Sequence, residues 1–168
     1  ETGMLGWDMY FKEIDKTITT FLCSEQGDPD KKRLQEAVDF KNKHMKTKSI
    51  SDEINEKTNN KGYIISQFGG IAYKDLDDMF NIIEEKCNEE SKKYIYAYDT
   101  DPDSTMHELG CDCAKVNEII NDLNSRIEDL SKKLKDTIIF VVADHGHKNV
   151  ESIDLNDYPD IVECLDKN

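Results

Sequence analysis

No run of apolar residues in this 168-residue sequence approaches the roughly 20 needed to cross a bilayer, and no apolar segment follows basic residues at Glu1. A soluble, cytoplasmic protein without a membrane partner is therefore expected. Basic residues are also in deficit: 22 Lys and Arg against 36 Asp and Glu leave a formal net charge of −14. Binding a polyanion by counterion release needs the opposite sign, so nucleic acid is not an expected partner. Cysteine is sparse and odd in number: five residues, Cys23, Cys87, Cys111, Cys113 and Cys164, at scattered spacings. That pattern argues against a secreted disulfide framework and for reduced thiols. Cys111-x-Cys113 has no second such pair, which a zinc ribbon would need. There is no internal repeat, and the only compositional bias is Lys and Asn around residues 57–61.

What is present suffices for one domain. Apolar residues make up 37% and charged residues 35%, more polar than an average globular chain but with apolar clusters dense enough to pack. A single α/β domain over 1–168 is expected. Trp7, Tyr10, Phe11, Ile14, Ile18 and Phe21 recur three and four apart, which predicts an amphipathic helix. Residues 24–48 read as polar loop followed by a solvated helix.

From Ser49 the pattern alternates. Ser49 to Asn59 predicts a short helix ended by Asn60-Lys61-Gly62, and Tyr63 to Ser66 a strand. Leu76, Met79, Phe80 and Ile83 mark a helix from Asp75 to Asn88, followed by a strand over Lys92 to Tyr98. Val116, Ile119, Ile120, Leu123, Ile127, Leu130 and Leu134 keep one stripe through a long helix. Thr137 to Ala143 then reads as a strand covered on both faces. Helix-to-strand units in this order predict a parallel α/β sheet with flanking helices, whose strand C-terminal ends share one ligand-binding edge.

Two segments follow strand ends directly: Asp99 to Gly110, containing Asp101-Pro102-Asp103-Ser104-Thr105-Met106-His107, and Asp144-His145-Gly146-His147. Three of the four histidines fall in these segments, beside aspartates. Carboxylate oxygen and imidazole nitrogen together suit a divalent cation. Asp103 and His107 come close if the chain turns helically after Pro102, and Asp144 and His145 can splay apart where a strand ends. One pair per strand end suggests two cations. Cations about 3.5–4 Å apart suit phosphoryl transfer, and bound dications outweigh the long-range repulsion of an acidic protein for phosphate. Taken singly, the first segment is also what a Pro-led helix start would show, and the second what a polar turn after a buried strand would show. Their pairing at successive strand ends favours the metal reading.

These residues resemble a known family. The stretch Tyr98 to Gly110 and the element Val142-Ala143-Asp144-His145-Gly146 are similar to the two metal-ligand motifs of the alkaline phosphatase superfamily, most closely its nucleotide pyrophosphatase and phosphodiesterase branch. The resemblance covers about the last two thirds of the chain. It implies an alkaline-phosphatase-like parallel sheet and a metal-dependent phosphoester hydrolase acting on a small-molecule phosphodiester or phosphomonoester. It further implies two divalent cations, zinc first with manganese or magnesium as alternatives. Carried over, Asp103 and His107 match the first metal's aspartate and first histidine, and Asp144 and His145 match the second metal's ligands. His147 matches a variable position and receives no role.

The family pattern also places an aspartate and a Ser or Thr nucleophile upstream of Glu1-Thr2-Gly3-Met4-Leu5-Gly6-Trp7, and a last histidine well beyond Gly146. Neither has a counterpart among these residues, so the sequence reads as a partial catalytic domain not expected to turn over efficiently alone. Thr17-Ile18-Thr19-Thr20 resembles a nucleophile motif by composition only. The alternative is a non-catalytic α/β binding or scaffolding module derived from that fold. Uncovered apolar faces would favour a homo-oligomer.

Overall fold

The structure is a computed structural model that describes residues 6–44 and 48–165. Residues 45–47 of the expected polar stretch lie outside the described residues. The chain forms two compact units, residues 1–60 and 61–168.

The first unit holds an antiparallel sheet of β1 (Asp8–Phe11), β2 (Lys16–Thr19) and β3 (Ser24–Glu25), followed by α1 (Gln35–His44) and α2 (Ile50–Thr58). The helix expected over Trp7 to Phe21 is replaced by the β1–β2 hairpin, with Met9 opposite Ile18. The reason lies in the backbone preferences. Thr17, Ile18, Thr19 and Thr20 are consecutive β-branched residues, stiff at χ1 and favoured on a pleated surface. Asp15, at φ 51, turns the chain in the left-handed region that a helix excludes. Phe11 and Ile18 bury in a small core with Cys23 and Ala37, against which Met9, Leu34 and Phe40 pack. Thr20, from the sequence's nearest imitation of a nucleophile motif, is buried and donates its hydroxyl to the Gly6 and Trp7 carbonyls. It is a hairpin clasp.

Helix α2 begins at a capping box in which Ser49 and Asp52 satisfy each other's backbone N–H, and ends at Asn59 in the left-handed conformation. Both ends fall where the sequence places them.

In the second unit, β4 (Gly62–Ile65), α3 (Leu76–Asn88), β5 (Tyr94–Ala97), α4 (Asp103–Leu109) and α5 (Ala114–Lys133) follow the expected order, with a 3-10 turn (Leu155–Asp157) and α6 (Pro159–Leu165) after them. β4 and β5 pair in parallel, Ile65 beside Ala97. Ile65 is fully buried, and with Tyr73 and Met79 it forms a core covered by Ile71, Leu76, Phe80, Ile83 and Ile95. The fold is thus mixed α/β with a two-stranded parallel sheet.

The third parallel strand is the main correction. Thr137 to Ala143 belongs to no sheet, and its side chains are open: Ile138 is 80% and Phe140 83% exposed. An unbroken apolar run reports a preference for burial, but a strand also needs a neighbouring edge to take its N–H and C=O groups. Among the described residues no strand supplies that edge.

The loop after β4 is built by hydrogen bonds. Ile71 N–H donates to Ile64 C=O and Ser66 N–H to Ile71 C=O, closing Gln67 to Gly70 into a turn. Gly70 sits at φ 79, and a Cβ there would lie 2.3 Å from the Ile64 carbonyl oxygen. Only glycine fits. Phe68-Gly69-Gly70 is a chain turn.

Candidate metal centre

Three aspartates leave β5 within five residues, and the structure gives each a different task. Asp99 accepts from the Tyr73 hydroxyl at 2.5 Å and from Asp101 N–H at 2.8 Å. Asp101 accepts from the Thr105 hydroxyl at 2.8 Å and from Thr105 N–H at 3.2 Å, which satisfies a donor in the first turn of α4. These two hold the loop and the helix start. Asp103 is left to point elsewhere.

Helix α4 places Asp103 and His107 on one face, four residues apart. Asp103 Oδ2 stands 3.7 Å from His107 Nε2. Two donors about 2.0–2.1 Å from a tetrahedral zinc stand about 3.3 Å from each other, so this gap needs only a small adjustment to share one cation. The other carboxylate oxygen, Oδ1, is hydrogen-bonded to His147 Nε2. A carboxylate only accepts, so the proton lies on the imidazole nitrogen. This bond from His147, with the nearby rings of His107 and His145 adding to it, holds the Asp103 carboxyl below the usual carboxylate range.

The second segment reaches α4 without the help of a strand. Asn149 accepts from Cys111 N–H at 2.9 Å and donates to Asp112 Oδ2 at 2.8 Å, which pins residues 144–149 beside the α4–α5 loop. Gly110, at φ 81, ends α4 beneath it, and a Cβ there would stand 3.2 Å from Asn149 Oδ1. Along the pinned segment, the His147 ring meets His107 edge-on at 4.7 Å and lies 5.3 Å from the His145 ring. Asp144 Oδ2 and His145 Nε2 are 3.6 Å apart, a second acid-and-imidazole pair. Both pairs bear on the same neighbourhood. The Tyr98 hydroxyl is pushed up by burial first and then by the nearby charges of Asp144, Tyr96, Asp103 and Asp99.

Of the four residues singled out in the sequence, the structure brings Asp103 and His107 together on α4, while Asp144 and His145 form a separate exposed pair that adjoins them through the His147 ring. It adds His147, since donor atoms of Asp103, His107 and His147 all lie within 4.8 Å of one another. Sequence reasoning counted this histidine in the cluster but gave it no role. Its position two residues after His145 was the available signal. Asn149 left no signal at all. The donor set of carboxylate oxygens and imidazole nitrogens suits a divalent transition cation.

No curated protein matches the chain at a significant level, and no solved structure does. A family model does match, over residues 2–167, which extends well beyond the two thirds carried by the motifs. The chain belongs to the type I phosphodiesterase / nucleotide pyrophosphatase family.

Proposed function

We propose that this chain carries the cation-holding part of a metal-dependent phosphoester hydrolase site on an alkaline-phosphatase-like α/β frame, with a small-molecule phosphodiester or phosphomonoester as substrate. The observation that supports it best is the cluster of Asp103 and His107 on α4 with His147, whose ring adjoins the Asp144 and His145 pair, in a family of phosphodiesterases that depends on divalent cations.

Asp103 and His107 would hold one cation and Asp144 and His145 a second, zinc being favoured by the mixed oxygen and nitrogen donors. Bound there, such cations would offset the negative charge that builds on a phosphoryl group as its ester bond breaks. Asp103, kept ionised by its hydrogen bond from His147, supplies a full negative charge at neutral pH. His107 presents its ring nitrogen toward that carboxylate from one turn along the helix. The site is open on one side, with His107 exposed and His147 half-buried, so a small phosphate ester can approach directly.

A second reading, a cation-binding module without turnover, draws on the hydroxyls of α4. Thr105 donates to Asp101 and Ser104 to the Thr100 carbonyl, so both are engaged in the helix start. The two readings separate in one assay: hydrolysis of a chromogenic phosphodiester and its monoester by the purified chain, with zinc or manganese added. Hydrolysis that needs the cation and disappears in Asp103→Ala supports the enzyme. Cation uptake without hydrolysis supports the module. Hydrolysis that persists in chelator, or is unchanged in both Asp103→Ala and Asp144→Ala, contradicts the proposal.

A further inference from the structure

We infer that His147 is a positioning residue for the cation site: its Nε2–H holds Asp103 by Oδ1 and so directs Oδ2 toward His107, without itself binding the cation. The inference rests on the proposed cation site and adds to it a role for a side chain that the family motifs leave open.

A monodentate aspartate is a good ligand only if it stops rotating. A free carboxylate can present either oxygen, or neither, to a neighbour, and each alternative costs binding. Here the two oxygens are already differentiated, Oδ1 to His147 and Oδ2 facing His107. Ligating carboxylates elsewhere are hydrogen-bonded in the same manner, and such outer partners influence affinity strongly. His147 is also the right residue to be rigid. Its side chain is 17% exposed against 69% for His107, and its ring is braced by both histidines. Asn149, two residues on, fixes the backbone that carries it.

Direct ligation is the competing role, and the hydrogen bond argues against it. Nε2 is within hydrogen-bond reach of Asp103 Oδ1, whereas two ligands of one zinc keep their donor atoms about 3.3 Å apart. A nitrogen that carries a proton for a carboxylate has no lone pair for a metal.

The test uses the full chain, zinc as the probe, and X-ray absorption together with titration calorimetry. His147→Ala should keep the parent's zinc stoichiometry and its number of imidazole nitrogens per zinc, while binding about 10–100-fold more weakly. His147→Gln, whose amide N–H reaches the same carboxylate, should recover part of that loss. In the metal-free parent, nitrogen NMR of the His147 ring should show the proton on Nε2. Loss of one imidazole nitrogen in His147→Ala would make His147 a ligand and overturn the inference, as would unchanged affinity or a ring proton on Nδ1. A parent chain that takes up no zinc would overturn the cation site itself, and this role with it.

Discussion

The Tyr73 hydroxyl lies 2.5 Å from Asp99 Oδ2 and 3.0 Å from the Tyr98 carbonyl, so one buried phenol holds both residues that leave β5. Burial first, and then the Asp99 carboxylate, push this hydroxyl well above its ordinary value, and it remains a donor throughout the usable pH range. Because Asp99 in turn positions Asp101 and the start of α4, the candidate site is anchored in the core of its unit. Tyr73→Phe removes a hydrogen bond to a charged group and should cost about 1.5–3 kcal/mol in urea unfolding. A loss under about 0.5 kcal/mol would show that the loop stands without it.

Gly70 offers a sharper steric test. Gly70→Ala adds a Cβ against the Ile64 carbonyl at a left-handed backbone position, where the conformation alone costs a non-glycine residue about 1–2 kcal/mol. At Gly146 an added Cβ meets open space. Thermal melting should rank Gly70→Ala well below Gly146→Ala, and equal melting temperatures would contradict the turn geometry.

Glu89 gives a pH dependence with a defined sign. Its carboxylate accepts from Lys86 Nζ at 2.8 Å and from the Tyr63 hydroxyl at 2.6 Å, and these bonds, Lys86 first, push it down to about 2 from 4.5. A carboxylate with a depressed folded-state value stabilises the fold above its unfolded value and loses that contribution as pH falls through the folded one. Folding stability should therefore decline between pH 4.5 and about 2, and Glu89→Gln should flatten that part of the curve. An identical slope in the variant would assign the decline to other carboxylates.

The open run Thr137 to Ala143 carries a prediction about association. Ile138, Phe140, Val141 and Val142 are each exposed, and consecutive exposed apolar side chains promote contact between chains. We propose that the isolated chain self-associates through it, and sedimentation should show species above the monomer that Phe140→Asp suppresses. A monodisperse monomer at high concentration would contradict this.

The sequence signals that succeeded were local ones. The spans Ser49 to Asn59 and Asp75 to Asn88 and the stripe from Val116 to Leu134 located α2, α3 and α5, because helical spacing and helix ends act within one or two turns. The strands expected over Tyr63 to Ser66 and Lys92 to Tyr98 formed as β4 and β5, each taking the other as its partner. The misreadings had two causes, local backbone preferences overriding apolar spacing and the lack of a paired neighbour. The spacing of Trp7 to Phe21 fits a helix, yet the β-branched run at Thr17 and the left-handed Asp15 decided for a hairpin. Thr137 to Ala143 has the composition of a buried strand and no paired neighbour among the described residues. At the candidate site the sequence singles out Asp103, His107, Asp144 and His145, and of these the structure brings Asp103 and His107 within reach of each other on α4. The bond between His147 and Asp103 spans 44 residues, and no periodicity records it.

Zinc titration calorimetry of the full chain and of its Asp103→Ala and Asp144→Ala variants tests the paired-cation site most directly. The parent should bind two zinc ions, and each variant should lose one of them while keeping the other. No uptake by the parent, or the same stoichiometry in all three proteins, would contradict the site.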